Sequence, residues 1–201
     1  MRIKDRGDFI LKSLIRNYLL IIYNIIRFSF IKLVTSAKIN VDKKILLSSK
    51  VKIKLSKNSN LKIGAIFIAR ENVNIEVCEN AYLSLGKNSF LNKNCEVVAR
   101  EKIIIGDNTG IGPNVLIYDN DHDFRKKDKS GFTTQEIIIG SNCWIGGNCV
   151  ILKGTVIGDN CVIGAGTVIK GTIPNNSLVL NKQNLIVKDI KTKENFNERI
   201  N

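Results

Sequence analysis

Proline and aromatic side chains are scarce in this chain: 201 residues hold 2 prolines, and Phe, Trp and Tyr make up 6%. So few bulky planar groups argue against a layered α/β domain and suit a narrow core filled with aliphatics. Histidine occurs once, at 122, which excludes a zinc centre held by three histidines. Cysteine occurs five times, an odd count with no signal-peptide pattern before it. Such a set reads as buried thiols in a reducing compartment rather than as a disulfide framework. Negative charge is also short: 18 Asp and Glu against 31 Lys and Arg leave a net charge of +13. The basic residues lie in an N-terminal segment, a central loop and outward positions, with no aromatic platform between them. That disfavours nucleic acid and points to anionic cofactors or anionic lipid. Long apolar runs are missing as well. Ten uncharged residues separate Arg16 from Arg27, short of the roughly 20 that a transmembrane helix needs.

What the chain does have is isoleucine at a fixed step. Ile105, Ile111 and Ile117 are six residues apart, and Ile139, Ile145, Ile151, Ile157, Ile163 and Ile169 resume the same step after a break. Glycine follows six of these nine, as Gly106, Gly112, Gly140, Gly146, Gly158 and Gly164. Thr109, Val115, Cys143, Cys149, Thr155, Cys161 and Thr167 occupy the fourth position after the isoleucine. A period of six is neither 2 nor 3.6, so it describes neither one strand nor one helix. It describes a parallel β-helix of hexapeptide units, three to a coil of 18 residues, whose coils stack at about 4.8 Å and bury one another's apolar faces. Ile139 is then expected under Ile157 and Cys143 under Cys161, with glycine giving the backbone freedom for each corner. A looser register at Leu55, Leu61, Phe67 and Val73, and again at Leu85, Leu91, Val97 and Ile103, extends the solenoid back to about residue 40, with about two residues inserted before the strict register.

Residues 1–38 differ. Leu, Ile, Tyr and Phe dominate Phe9 to Val34, with Lys12, Arg16, Arg27 and Lys32 interspersed. This suits one or two amphipathic helices, lying on a membrane surface or packed on the coil end or a partner subunit. No small-residue cleavage site follows, so a signal peptide is disfavoured. The division expected is a helical segment 1–38, a β-helix 39–180 and an arm and tail 181–201. Residues 123–138 form an inserted loop carrying Arg125, Lys126, Lys127, Lys129 and Phe132, and loops that long inside a compact repeat are commonly functional. From Pro174 the hexad phase is lost, and the chain is expected to leave the coil as a capping arm.

The run IGDNTGIGPNVLIYDNDHDF, followed by IIIGSNCWIGGNCVILKGTVIGDNCVIGAGTVIKGTIPNNSL, resembles the hexapeptide-repeat acetyltransferases. The likeness is to the branch that O-acetylates maltose, galactosides and capsular sugars, and it covers about residues 83–180. The resemblance implies an all-β, left-handed parallel β-helix, a homotrimer with active sites between subunits, and acetyl-CoA as donor, with no metal required. It places the catalytic base on His122, which would take the proton of an acceptor hydroxyl as that hydroxyl attacks the thioester. Imidazole titrates near neutral pH and suits that task. Asp119, Asp121 or Asp123 could orient the ring. Asn92 matches an asparagine that holds the acceptor and reacting groups. Gly147 and Ala165 match the small residues of the donor groove, Trp144 borders it, and Lys170 matches contacts to the nucleotide end of CoA. Lys182 or Lys188 could replace basic residues missing from the C-terminal arm.

One departure concerns the acceptor. Arg100 stands where the family has an acceptor-contacting Asp, which argues against simple carry-over of maltose or galactoside and toward a unit of a surface polysaccharide. The expected setting is the cytoplasm, at the inner face of the membrane. N-acetylation of an amino sugar and a non-catalytic β-helix scaffold stay open beside this reading. The zinc-dependent carbonic anhydrase type of the same fold is excluded by the single His.

Overall fold

The computed structural model describes residues 3–123 and 131–182. One helix, Ile3–Val34, precedes a parallel β-solenoid of three faces. The first face has seven strands, from Lys38–Val41 to Thr172–Ile173; the second has seven, from Leu46–Leu47 to Leu178–Val179; the third has six, from Lys52–Leu55 to Val168–Ile169. Every solenoid strand pairs in parallel with its equivalents one coil away, the arrangement of a left-handed β-helix. Ile139 lies opposite Ile157 and Ile145 opposite Ile163. The Trp144 N–H donates to the Cys161 carbonyl, which sets Cys143 below Cys161. All nine hexad isoleucines are inside, none more than 4% exposed.

The coil length is not constant. Lys38 faces Asn60 and Asn60 faces Tyr82, a step of 22; Tyr82 faces Lys102, a step of 20. Ile139 to Ile157 is 18 and Ile157 to Ile173 is 16. The long coils have four-residue strands on two faces, with two inward side chains each, such as Leu61 and Ile63 on Asn60–Ile63 and Ile75 and Val77 on Asn74–Val77. The two residues expected as a single insertion are therefore a lengthening repeated in each early coil. The chain also does not leave the coil at Pro174. Leu178–Val179 pairs with Val162–Ile163, so a shorter coil continues beyond the point where the hexad phase is lost.

The corners work differently from the expectation for glycine. Among the described residues positive φ falls on eleven asparagines, at 54° to 61°, on Ile66 at 60°, and on four glycines, Gly131, Gly154, Gly166 and Gly171, none of which follows a hexad isoleucine. Asparagine tolerates this left-handed conformation better than other residues with a Cβ. Its side chains also form ladders, with Nδ2 donating to Oδ1 from Asn72 to Asn94, Asn94 to Asn114 and Asn114 to Asn148. The glycines after the isoleucines are needed for close approach instead. A Cβ on Gly106 would lie 2.6 Å from the carbonyl carbon of Gly140, and one on Gly140 would lie 2.6 Å from that of Gly158.

The helix closes the first coil. Phe28 is buried against Ile45, Leu47 and the core above them, with Ile31 partly buried beside it. The Asn24 amide donates to the Leu47 carbonyl at 3.0 Å and the Arg27 guanidinium to the Val51 carbonyl at 2.7 Å. These two groups satisfy carbonyls on the open edge of the solenoid, which would otherwise invite another strand. Burial holds the Arg27 pKa below its ordinary value, with Tyr23 pulling the other way. Leu11–Val34, 24 residues of mean hydropathy 1.4, is long and apolar enough to cross a membrane by length and composition alone, which the short uncharged run did not suggest.

Candidate active site

The site starts from a corner between the third and first faces. The buried Asp119 carboxylate accepts the backbone N–H groups of Arg100, Glu101 and Lys102, each at 2.8 Å. Three such bonds fix the turn below and commit both carboxylate oxygens. Of the three acids considered as partners for His122, Asp119 is thus a structural anchor. Asp121 is exposed.

From this anchor the chain leaves the solenoid as a two-stranded hairpin. Asn120–His122 pairs antiparallel with Phe132–Thr134, so that His122 faces Phe132. The insertion therefore has an ordered stem that begins before residue 123. Its basic residues Arg125, Lys126, Lys127 and Lys129 lie outside the described residues, as does Lys188. The stem is tied back to the solenoid by Lys153, whose ammonium donates to the Thr133 hydroxyl and to the Thr133 carbonyl, and by the Gln135 N–H donating to the Asp119 carbonyl at 2.9 Å.

His122 is exposed, and its ring is held by stacking. Its centroid is 4.5 Å from that of Phe132, and the Arg100 guanidinium lies 3.5 Å from the Phe132 ring centre. Such cation–ring contacts are favourable in this range. The sequence reading placed Arg100 near the acceptor without foreseeing the stack, and did not single out Phe132 for this part. The available signal was spacing. The third face steps by 20 residues here, from Glu96 to Leu116 and from Val98 to Tyr118, so the corner holding Arg100 lies under the base of the hairpin that carries His122.

Beside the hairpin base, a cleft of about 220 Å³ is lined by Tyr118, Asn120, Asp121, Leu152, Lys153 and Lys170. Burial, then a hydrogen bond to Glu96 and its charge, push the Tyr118 hydroxyl up to about 12, so it stays protonated. Lys170 is exposed here, on the same solenoid edge as His122. It brings a cation suited to a phosphate or other anion.

The remaining candidates stand elsewhere. Asn92, Gly147 and Ala165 occupy the corner between the second and third faces, on the opposite edge of the third face. The Asn92 N–H donates to the Ile111 carbonyl, and its side chain accepts the Lys93 N–H at 2.9 Å. Gly147 is half-buried and accepts the Gly166 N–H, and Ala165 is exposed above it. This edge carries two small residues, Gly147 and Ala165, in consecutive coils. Trp144 is on the outer side of the second face, 45% exposed, with its ring 6.1 Å from Phe90 across Gly110. A single chain thus sets His122 and Lys170 on one edge of the third face and Asn92, Gly147 and Ala165 on the other. Among the described residues no three His, Cys, Asp or Glu side chains are grouped to hold a metal ion.

Four likenesses bear on this arrangement. Residues 136–171 match the bacterial transferase hexapeptide (six repeats) family. Nodulation protein L of Rhizobium meliloti (strain 1021) is 39% identical over 74 residues, 36% of this chain and 40% of that protein. WbbJ of Escherichia coli (strain K12), whose name describes a lipopolysaccharide biosynthesis O-acetyl transferase, is 24% identical over 142 residues, 65% of this chain and 72% of that protein. Among solved structures, a variant of AntD, an N-acyltransferase from Bacillus cereus in complex with dTDP-4-amino-4,6-dideoxyglucose and coenzyme A, superposes with a TM-score of 0.62. It is 17% identical, over 76% of this chain and 82% of that one, a likeness of fold. The chain spans 40% of the length of nodulation protein L. By its repeat, its solenoid and these likenesses, the chain is similar to the hexapeptide-repeat transferases, whose family model matches residues 136–171.

Proposed function

We propose that the chain is an acyl-CoA-dependent O-acetyltransferase acting on a sugar hydroxyl of a surface polysaccharide or its precursor. The observation that carries this is the single histidine of the chain, carried on a strand of an anchored hairpin with its ring against Phe132, which in turn contacts Arg100. The match to WbbJ supports O-acetyl transfer and a polysaccharide setting. The acceptor oxygen attacks the thioester carbonyl, His122 takes the hydroxyl proton, and the carbon–sulfur bond breaks to release CoA as its thiol. The acetyl group passes directly to the acceptor, so no group on the protein is acylated. General-base assistance of this kind contributes roughly 10²–10⁴-fold in rate.

The donor fits the edge opposite His122. The small side chains at Gly147 and Ala165 leave room for the pantetheine arm, Trp144 borders it, and Lys170 meets phosphate charge. Asn92, on the same edge as Gly147, would hold the acceptor or the reacting carbonyl. Because Asn92, Gly147 and Ala165 sit on a different edge of one solenoid from His122 and Lys170, the working site takes His122 from one copy and the small-residue edge from the next, in a closed trimer.

The test is acetyl-CoA consumption, read as free thiol, with a panel of mono- and oligosaccharides. Wild-type protein is expected to release thiol only with an acceptor, and His122→Ala to lose at least about 100-fold in turnover while still binding CoA. Equal turnover by wild type and His122→Ala would remove His122 from the chemistry. No CoA binding by either would overturn the proposal.

A further inference from the structure

We infer that the N-terminal helix seats the protein in plane on an anionic phospholipid bilayer, with its apolar outer face at the headgroup boundary. This stands independently of the acyl-transfer reading. The helix is mounted the reverse way to an ordinary cap. Its inner face uses polar groups, Asn24 and Arg27, to hold the carbonyls of Leu47 and Val51. Its outer face is apolar: Ile15, Leu19, Ile22, Ile26 and Leu33 share one side at helical spacing and are 51%, 60%, 38%, 65% and 83% exposed. Nothing on the solenoid reaches that side. Lys12, Arg16 and Tyr23 border a shallow groove floored by Ile15, Leu19 and Leu20, a basic rim over an apolar floor.

The charge distribution selects the occupant. Residues 1–62 contain 15 Lys and Arg and 3 Asp and Glu, a net +12, and residues 63–201 contain 16 and 15, a net +1. Nearly all of the net charge of +13 therefore belongs to the helix and the coil it covers. All eight lysines from Lys38 to Lys62 are exposed, and among the described residues only Lys54 forms an ion pair, to Glu76. A second copy on this face would set like charges together. An anionic lipid surface neutralises them, and each basic residue near it adds to binding.

Crossing the bilayer is incompatible with the packing. A span needs roughly 20 apolar residues, and the helix from Asn24 to Ile31 is docked on the first coil. What remains free of the coil carries Lys12 and Arg16 within it.

The test is co-sedimentation of the full chain with vesicles of phosphatidylcholine alone and of phosphatidylcholine with phosphatidylglycerol, for wild type and for Ile15→Asp/Ile22→Asp/Ile26→Asp. The three substituted side chains face outward, and circular dichroism confirms that the variant keeps the solenoid. Wild type is expected to sediment with the anionic vesicles, to lose binding as salt rises, and to bind phosphatidylcholine at least about tenfold more weakly. The triple variant should lose about tenfold or more on anionic vesicles. Binding unchanged in the triple variant would overturn insertion of this face. No wild-type binding to anionic vesicles, or a smaller oligomer in the triple variant, would overturn the lipid assignment, the latter by making the face a contact between copies.

Discussion

At the scale of the residue, the fourth position of most hexads has a task that apolar packing alone does not explain. Ser89, Thr109, Cys95, Cys143, Cys149 and Cys161 each donate to a carbonyl one coil on, at 2.7 to 3.2 Å. Reading the cysteines as small buried hydrophobes located them correctly but missed this bond, because a six-residue period reports which way a side chain points and not what it meets. Thr109, like Ser89 below it, does two things: its hydroxyl donates to the Gly140 carbonyl and accepts the Cys143 N–H at 3.1 Å. Thr109→Val keeps the shape and leaves both groups unmet, so it should cost about 1–3 kcal/mol, read as a lower urea midpoint. Ile66 errs in the other direction. Among the described residues it alone, apart from asparagines and glycines, takes positive φ, with its side chain 54% exposed. Left-handed backbone costs such a residue about 1–2 kcal/mol. Ile66→Asn should recover about 1 kcal/mol and raise the melting temperature by about 2–4 °C. An unchanged or lower midpoint would mean that Ile66 earns its place by contacts.

At the scale of the element, the strict coils were legible because one side chain, isoleucine, marks each inward position. The early coils were blurred because strands of four residues carry two inward positions and shift the register by two at each such face. The end of the solenoid was misplaced for the same reason in reverse, since its last coil is short. The inserted segment was legible as a break, but antiparallel pairing of Asn120–His122 with Phe132–Thr134 left no periodic trace. That hairpin makes a prediction of its own. Phe132 stands between the Arg100 cation and the His122 ring as the surface both rest on. At 39% exposure it contributes little to the core. Phe132→Ala should therefore lower kcat by roughly 10- to 100-fold through misplacement of the base, with KM for acetyl-CoA little changed and the melting temperature nearly that of wild type. Phe132→Tyr should restore most of the rate. A fall in melting temperature in step with the loss of rate would make Phe132 structural only.

At the scale of the whole molecule, the candidate site is divided. His122 and Lys170 stand on one edge of the third face, and Asn92, Gly147 and Ala165 on the other. The residues were individually legible through their likeness to a family pattern. Their separation was not, because it depends on how many residues each coil spends before its corner. Under the proposed function the division would make catalysis a property of neighbouring copies, and mixed oligomers examine that directly. His122→Ala removes the base on one edge, and Ala165→Trp puts a bulky side chain on the other at an exposed position. Each variant alone should be inactive. Co-assembled in equal amounts from unfolded or co-expressed chains, they should recover roughly a quarter of wild-type acetyl-CoA turnover, since that fraction of interfaces pairs an intact edge with an intact edge. Mixed oligomers that form and stay as inactive as either parent would contradict a site shared between copies with His122 as its base.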